Sequence, residues 1–526
     1  MSIARTLAVT LTGLRGHLVD VEAHAASGLP GFMLVGLPDA AIRESRERVR
    51  AALTVCGTTW GEQRLTVNLS PADLPKTGTG FDLALALAVL GARGALPPRA
   101  LATMARVVYI GELGLDGAVH PVRGVLPAVL SAVEAGVSSI VVPAACAREA
   151  SLVPGASIQA VHHIGELVEG YGGRLPRAAV EIMRGAEARP PAPIAAPTSG
   201  RAASAHRADL ADVVGQAQAR HALEVAAAGG HHLLMVGPPG AGKTMLAERL
   251  PSILPPLTER DAVTVTSLHS LAGLFNADAG LLSEPPMRCP HQTATRAAII
   301  GGGSGLPRPG DVSLAHRGVL FLDEAPEFPA SVLDCLRQPL EAGEVSIDRV
   351  GGRADYPAAF QLVLAANPCP CGRASGKGLE CTCTSLQRRR YFSRLSGPLL
   401  DRVDIQVEVD AVSAADLASG APGESSAVVV RRVLAARERA AARLAGTPWR
   451  LSSQVPGSYL RSEEGGADPE LMRPLMEALD RGDLTLRGVD RVLRLAWTLA
   501  DLAERDRPTL PDLGAALALR TRGARP

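Results

Sequence analysis

The sequence predicts an α/β protein: a doubly wound core with an α+β domain before it and an all-α domain after it. Three observations predict this. The apolar run HLLMVG (232–237) leads into a glycine-rich turn and then into helical periodicity from Lys243. The runs VLFLDE (319–324) and QLVLAANP (361–368) are continuously apolar before their polar ends, as strands covered on both faces must be. From about residue 411, strand-like runs give way to apolar residues at helical spacing.

At roughly 150 residues per domain, 526 residues make about three domains. The first, 1–176, alternates strands (LTVNLS at 65–70, VVYIGEL at 107–113, SIVVP at 139–143) with helices (AAIRESRERVRAALTVC and FDLALALAVLGARG). A linker is expected over 177–207, where residues 188–209 are rich in Pro, Ala and Ser and lack periodicity. The core is expected over 208–410, opened by the helix QAQARHALEVAAAGG, and four helical segments fill 411–526. Hydrophobic residues make up 47 %, enough for several packed cores. The formal charge of +1 excludes a global basic footprint, so any nucleic acid must meet a local basic surface. No apolar run reaches the length of a membrane span, and the N-terminus lacks the h-region of a signal peptide. A cytoplasmic location is expected.

The chemistry concentrates in the core. Gly237, Pro238, Pro239, Gly240, Ala241, Gly242, Lys243 and Thr244 fit the phosphate-loop pattern in full. Its backbone N–H groups face phosphates at a helix N-terminus, Lys243 reaches the β- and γ-phosphates, and Thr244 holds magnesium. Asp323 closes a buried strand, placed to bind magnesium through water, and Glu324 can polarise the attacking water. Taken alone, two acids at a strand end are often a solvated turn. The upstream phosphate loop decides between the readings. Asn367, at the end of its strand, can position that water. Arg402 can serve a neighbouring subunit as a finger on transition-state charge, with Arg394 as fallback. Arg487, with Arg491 as alternative, can touch the γ-phosphate from the helical domain.

These motifs are familiar. GPPGAGKT, SLAHRGVLFLDEAPEF, AANPCPCG, RLSGPLLDRVDI and LRGVDRVLRLAWTLADL resemble the ComM/YifB family of magnesium-chelatase-like AAA+ ATPases. GLPGFMLVGLPDAAIRESRERVRAAL, TVNLSPADLPKTGTGFDLALALAVL and YIGELGLDGAVHPVRGVLP extend the resemblance over nearly the whole chain. It implies an ATP- and magnesium-dependent homo-hexameric ring and a C-terminal helical lid. It also implies DNA as substrate, with helicase or branch-migration activity during natural transformation. One departure is Gln292, where the family carries a second His. The N-terminal domain resembles the Lon-protease fold, whose catalysis needs a Ser–Lys pair. Gly80 and Leu126 stand at those positions, which implies a non-proteolytic domain. A chelatase-type ATPase that remodels a partner protein is the competing function.

Two further groups are open to more than one reading. Cys369, Cys371, Cys381 and Cys383 form two Cys-x-Cys pairs nine residues apart. Four thiolates can bind one structural zinc; a reduced loop or a redox pair are the alternatives. IDRVGGRADY reads as a hairpin whose Arg349 and Arg353 can contact DNA phosphates in a pore, or can simply be solvated. Arg288, His291 and Arg296 lie in a second candidate pore segment.

Overall fold

The computed structural model describes residues 2–60, 63–187, 208–303, 307–349, 352–374, 380–412, 423–462, 464–465 and 468–520. The N-terminal domain is built on a seven-stranded mixed sheet. Its strands run in the order Gly31–Val35, Gln63–Ser70, Arg15–Ser27, Ser2–Thr12, Val108–Tyr109, Ser139–Pro143, Ser157–Val161. The period of two along Ser2–Thr12 divides the domain's apolar residues. Ala4 and Ala8 pack under the helix Asp82–Ala92, whose every residue is buried. Leu7, Val9 and Leu11 face the helix Val125–Glu134 on the other side. Small side chains on the first face let a helix of Leu and Ala approach closely.

The core carries a five-stranded, all-parallel sheet ordered Met287–Arg288, Val319–Leu322, Gln361–Ala366, Leu233–Val236, Ile405–Glu408. Its three central strands are buried throughout, as their continuous apolar runs require. The helices Ala217–Gly229 and Lys243–Ile253 cover one face. The helices Glu259–Ala272 and Ala330–Cys335 contribute to the other. The antiparallel hairpin Glu344–Arg349/Gly352–Pro357 is inserted before the strand Gln361–Ala366.

The C-terminal helices Ser426–Arg443, Pro469–Asp480, Leu486–Leu502 and Leu510–Ala518 share a single apolar cluster with the first face of the core. Buried Asp404 and His231 pin them further. His231 Nδ1 pairs with Asp404 Oδ2 at 2.9 Å, and its Nε2 pairs with Thr498 Oγ1 at 2.8 Å. Among the described residues, no helix is long and apolar enough to cross a membrane.

One expectation needs correction. Part of the stretch read as linker, Arg177–Glu187, is a helix. Its Ala179 and Met183 are buried, which attaches it to the N-terminal domain, against the helix Ile164–Gly170. The Pro-rich sequence that follows drew the linker boundary too early. Residues 188–207 of the expected linker lie outside the described residues.

Candidate nucleotide-binding site

Three parallel strands deliver the site. Leu233–Val236 ends at the phosphate loop, Val319–Leu322 at Asp323, and Gln361–Ala366 at Asn367, all at the same edge of the sheet. Ligands bind at this carboxyl edge in open α/β sheets. The loop begins where the chain has no room for a side chain: a Cβ on Gly237 would lie 2.1 Å from the carbonyl oxygen of Val409. Only glycine permits that approach.

The Lys243 side chain lies back across its own loop. Its Nζ donates to the carbonyls of Gly237 (2.6 Å) and Pro238 (2.9 Å) and to Asn367 Oδ1 (3.1 Å). Burial lowers its pKa, against the pull of Asp323 and Glu324. All three partners are neutral oxygens, so the ammonium has an incentive to exchange them for phosphate. Thr244 Oγ1 donates to Asp323 Oδ2 at 2.7 Å. That hydroxyl and carboxylate form a hard-oxygen donor set suited to magnesium. Glu324 is exposed and left-handed, at φ 49°. A non-glycine residue there costs roughly 1–2 kcal/mol. The kink points the second acid away from the strand it ends.

The expected arginines lie elsewhere. Arg402 pairs with Glu341 and with the Pro398 carbonyl, while its Nε is buried without a partner. Burial, and then Arg337, Arg487 and Arg491, lower its pKa. Asp401 gathers the group. Arg487 Nη1 donates to its Oδ2 at 2.9 Å, and buried Arg491 donates to its backbone carbonyl. Arg402, Arg487 and Arg491 line a cavity of about 680 Å³ between core and lid, and no phosphate-loop residue lines it. Arg394 is held at 3.0 Å by both the Pro326 carbonyl and Glu327, close to Glu324 in its own chain.

In the N-terminal domain, Leu126 is buried and its N–H donates to Glu149 Oε1 at 2.8 Å; Gly80 supplies no nucleophile. One amine of this domain is buried, unanticipated from sequence. Lys76 is fully buried with its Nζ on the Pro71 carbonyl, and burial lowers its pKa.

Family models match all three parts of the chain: subunit ChlI of magnesium chelatase over residues 21–146, magnesium chelatase subunit ChlI over 209–417, and its C-terminal region over 423–520. Full-length likeness is closer still. The chain is 39 % identical to competence protein ComM of Haemophilus influenzae, covering 99 % of this chain and 98 % of that one. It is 38 % identical to YifB of Escherichia coli, over 99 % of this chain and 97 % of that one. It is 50 % identical to Rv2897c of Mycobacterium tuberculosis over the whole of both. The chain belongs to the ComM/YifB family of magnesium-chelatase-like AAA+ ATPases. Its N-terminal part is also 33 % identical over 146 residues to Lon protease 2 of Bacillus subtilis, which accounts for the domain's Lon-like layout.

This ComM/YifB-family ATPase has a second cluster beside its nucleotide site. The Sγ atoms of Cys369, Cys371, Cys381 and Cys383 all lie within 4.8 Å of one another. Backbone N–H groups, first that of Arg373, hold the Cys371 thiol down to about 6. Burial pushes Cys369 up to about 11. On the inserted hairpin, exposed Arg353 bonds Asp355 at 3.0 Å and Ser346 Oγ at 2.9 Å. The Arg349 side chain lies outside the described residues. Arg288 pairs with Asp311 at 2.7 Å.

Proposed function

We propose that the protein is a magnesium-dependent ATP-hydrolysing motor, assembled as a homo-hexameric ring, that moves DNA strands as a helicase or branch-migration ATPase. The observation that carries the ring is the separation of the machinery. Lys243, Thr244, Asp323, Glu324 and Asn367 converge at one edge of the sheet, whereas Arg402, Arg487 and Arg491 share a cavity that no phosphate-loop residue lines. A second copy that brings its own phosphate loop to that cavity completes the site.

Lys243 leaves its carbonyl partners for the β- and γ-phosphates. Thr244 and Asp323 would hold magnesium, which would supply positive charge to offset that of the phosphates. Glu324 accepts a hydrogen bond from the attacking water and polarises it, and the Asn367 amide fixes that water's position. Arg402 of one subunit, freed from Glu341, stabilises charge on the γ-phosphate of the next.

DNA is supported by the full-length likeness to a competence protein and by exposed Arg353 on the inserted hairpin. A chelatase-type ATPase that remodels a partner protein is favoured by one finding, the magnesium-chelatase family models that span the chain. A structural zinc on the four cysteines belongs to the proposal, as does a cytoplasmic location.

The test is ATPase rate against DNA concentration at two salt levels, for wild type and Arg349→Ala/Arg353→Ala. Phosphate contacts dominate any sequence-independent grip, so wild-type stimulation should weaken steeply with salt. The double variant should keep basal turnover and lose most of the stimulation. Wild-type hydrolysis indifferent to DNA at low salt rejects the DNA reading in favour of protein remodelling.

A further inference from the structure

The four cysteines are not a remote surface feature. Cys369 follows Asn367 by two residues and is fully buried. Asn367 Oδ1 accepts from Lys243 Nζ at 3.1 Å. The chain then turns through a Cys369 carbonyl to Gly372 N–H bond of 2.9 Å. At that turn it presses on the phosphate loop: a Cβ on Gly372, at φ 77°, would lie 2.7 Å from both Cγ and Cδ of Pro239. The other pair leads away and returns. Cys383 immediately precedes Thr384, which caps the helix Ser385–Phe392. Buried Tyr391, near the end of that helix, places its hydroxyl on the Asn367 backbone. The cysteines therefore tie both ends of a closed loop of structure, and the loop touches the nucleotide site at Pro239 and Asn367.

The sulfur geometry fits a metal. Cys369 Sγ lies 3.3 Å from Cys371 Sγ and 3.6 Å from Cys381 Sγ, and the latter two are 3.8 Å apart. Four thiolates bound at about 2.3 Å around a tetrahedral zinc lie about 3.8 Å from each other. A disulfide needs about 2 Å. Soft thiolates select zinc over the magnesium of the neighbouring hard-oxygen site.

We propose that zinc on Cys369, Cys371, Cys381 and Cys383 is a positioning element of the ATPase. It holds Gly372 against Pro239 and so sets the phosphate loop, and it holds the Asn367 amide beside Lys243. The proposal rests on the zinc reading and on the nucleotide-site assignment. Neither the metal nor its ligands touch nucleotide. Their effect passes through backbone placement, where a shift of an ångström is costly to catalysis.

The test uses the full-length protein and three readouts: elemental analysis, affinity for a fluorescent ATP analogue, and ATP turnover. Wild type should carry one zinc per chain. Gly372→Ala keeps all four ligands but drives a methyl into Pro239. It should retain zinc while losing nucleotide affinity and turnover, on the order of tenfold or more. Adding Pro239→Ala, which removes the opposed ring atoms, should restore part of both. Stripping zinc from folded wild type with a zinc-selective chelator, magnesium in excess, should lower affinity and turnover, and returning zinc should restore them. The chelation arm decides the matter should Gly372→Ala not fold. Wild type with no zinc, or with iron, overturns the zinc reading and this proposal with it. One zinc per chain, with affinity and turnover unmoved by Gly372→Ala or by zinc removal, overturns the coupling alone.

Discussion

At the scale of single residues, Lys243 carries the sharpest expectation. Its ammonium is buried against neutral oxygens at the phosphate loop. Lys243→Ala should lower ATP turnover on the order of 10²-fold or more, measured by phosphate release. Near-normal hydrolysis would remove the nucleotide-site assignment. Two imidazoles, buried His316 and half-buried His232, set a pH dependence. His316 Nδ1 accepts from the Ala359 N–H at 3.1 Å, and His232 Nδ1 from the Leu362 N–H at 3.0 Å. A protonated ring cannot accept there, and burial holds both rings down to about 4. The unfolded chain binds these protons near 6.5, so it gains protons first as pH falls. Stability is therefore whole above about 6.5 and lost progressively toward 4. The unfolding free energy from denaturant titration should fall between pH 7 and pH 5, by about 2 kcal/mol for each ring at most. A flat profile across that range would contradict the neutral assignment of both rings.

At the scale of elements, the segment Gly397–Leu400 and the lid helix Leu486–Leu502 jointly present the arginine cluster. Asp401 binds Arg487 and Arg491, which ties core to lid at that face. Arg402→Ala should cost turnover by about 10³-fold or more if Arg402 is the finger. Mixed with Lys243→Ala subunits under verified exchange, it should regain part of the loss, at interfaces that join an intact loop to an intact finger. Failure of any rescue places the finger elsewhere. Arg394 is then the next variant to make, although its bonds to Pro326 and Glu327 hold it in its own chain. The inserted hairpin is legible in the sequence, yet its footing is not. Its strand Gly352–Pro357 rests against the N-terminal domain, where a Cβ on Gly13 would meet the Asp355 carbonyl at 2.5 Å. Arg15 also lowers the pKa of Asp355, after Ser346 and Arg353.

Across the whole molecule, the N-terminal domain and the core meet through a buried carboxylate. Glu149 takes the Leu126 N–H and the Ser270 hydroxyl, and Ser270 belongs to the core helix Glu259–Ala272. Burial raises the pKa of Glu149, and those two donors oppose the rise. Ser270→Ala leaves this carboxylate short of a donor at the seam. It should destabilise the protein by about 1–3 kcal/mol. Thermal unfolding of the variant should show the loss. An unchanged transition would mean that the Ser270–Glu149 bond contributes nothing to stability. Leu14, at the tip of the first hairpin, and the Arg148–Asp278 pair add to the same interface. The Leu126 N–H thus shares its acceptor with the joint between domains.

The sequence by itself determined the α/β plan, the family, and the candidate nucleotide residues from Gly237 to Thr244 with Asp323, Glu324 and Asn367. Each of these is written locally. Buried parallel strands must be continuously apolar, and a phosphate loop needs its glycines and lysine at fixed spacing. The helix Arg177–Glu187 escaped because a Pro-rich stretch beside it dominated the reading. What only the tertiary structure decided are the contacts between residues far apart in the chain. Lys243 meets Asn367 across 124 residues, and Arg491 meets Asp401 across 90. Gly372 meets Pro239, and Ser270 meets Glu149. No periodicity or spacing encodes such pairs. They follow from strand order, from which helix covers which face, and from how one domain's loops meet the next, and those are properties of the packed chain alone.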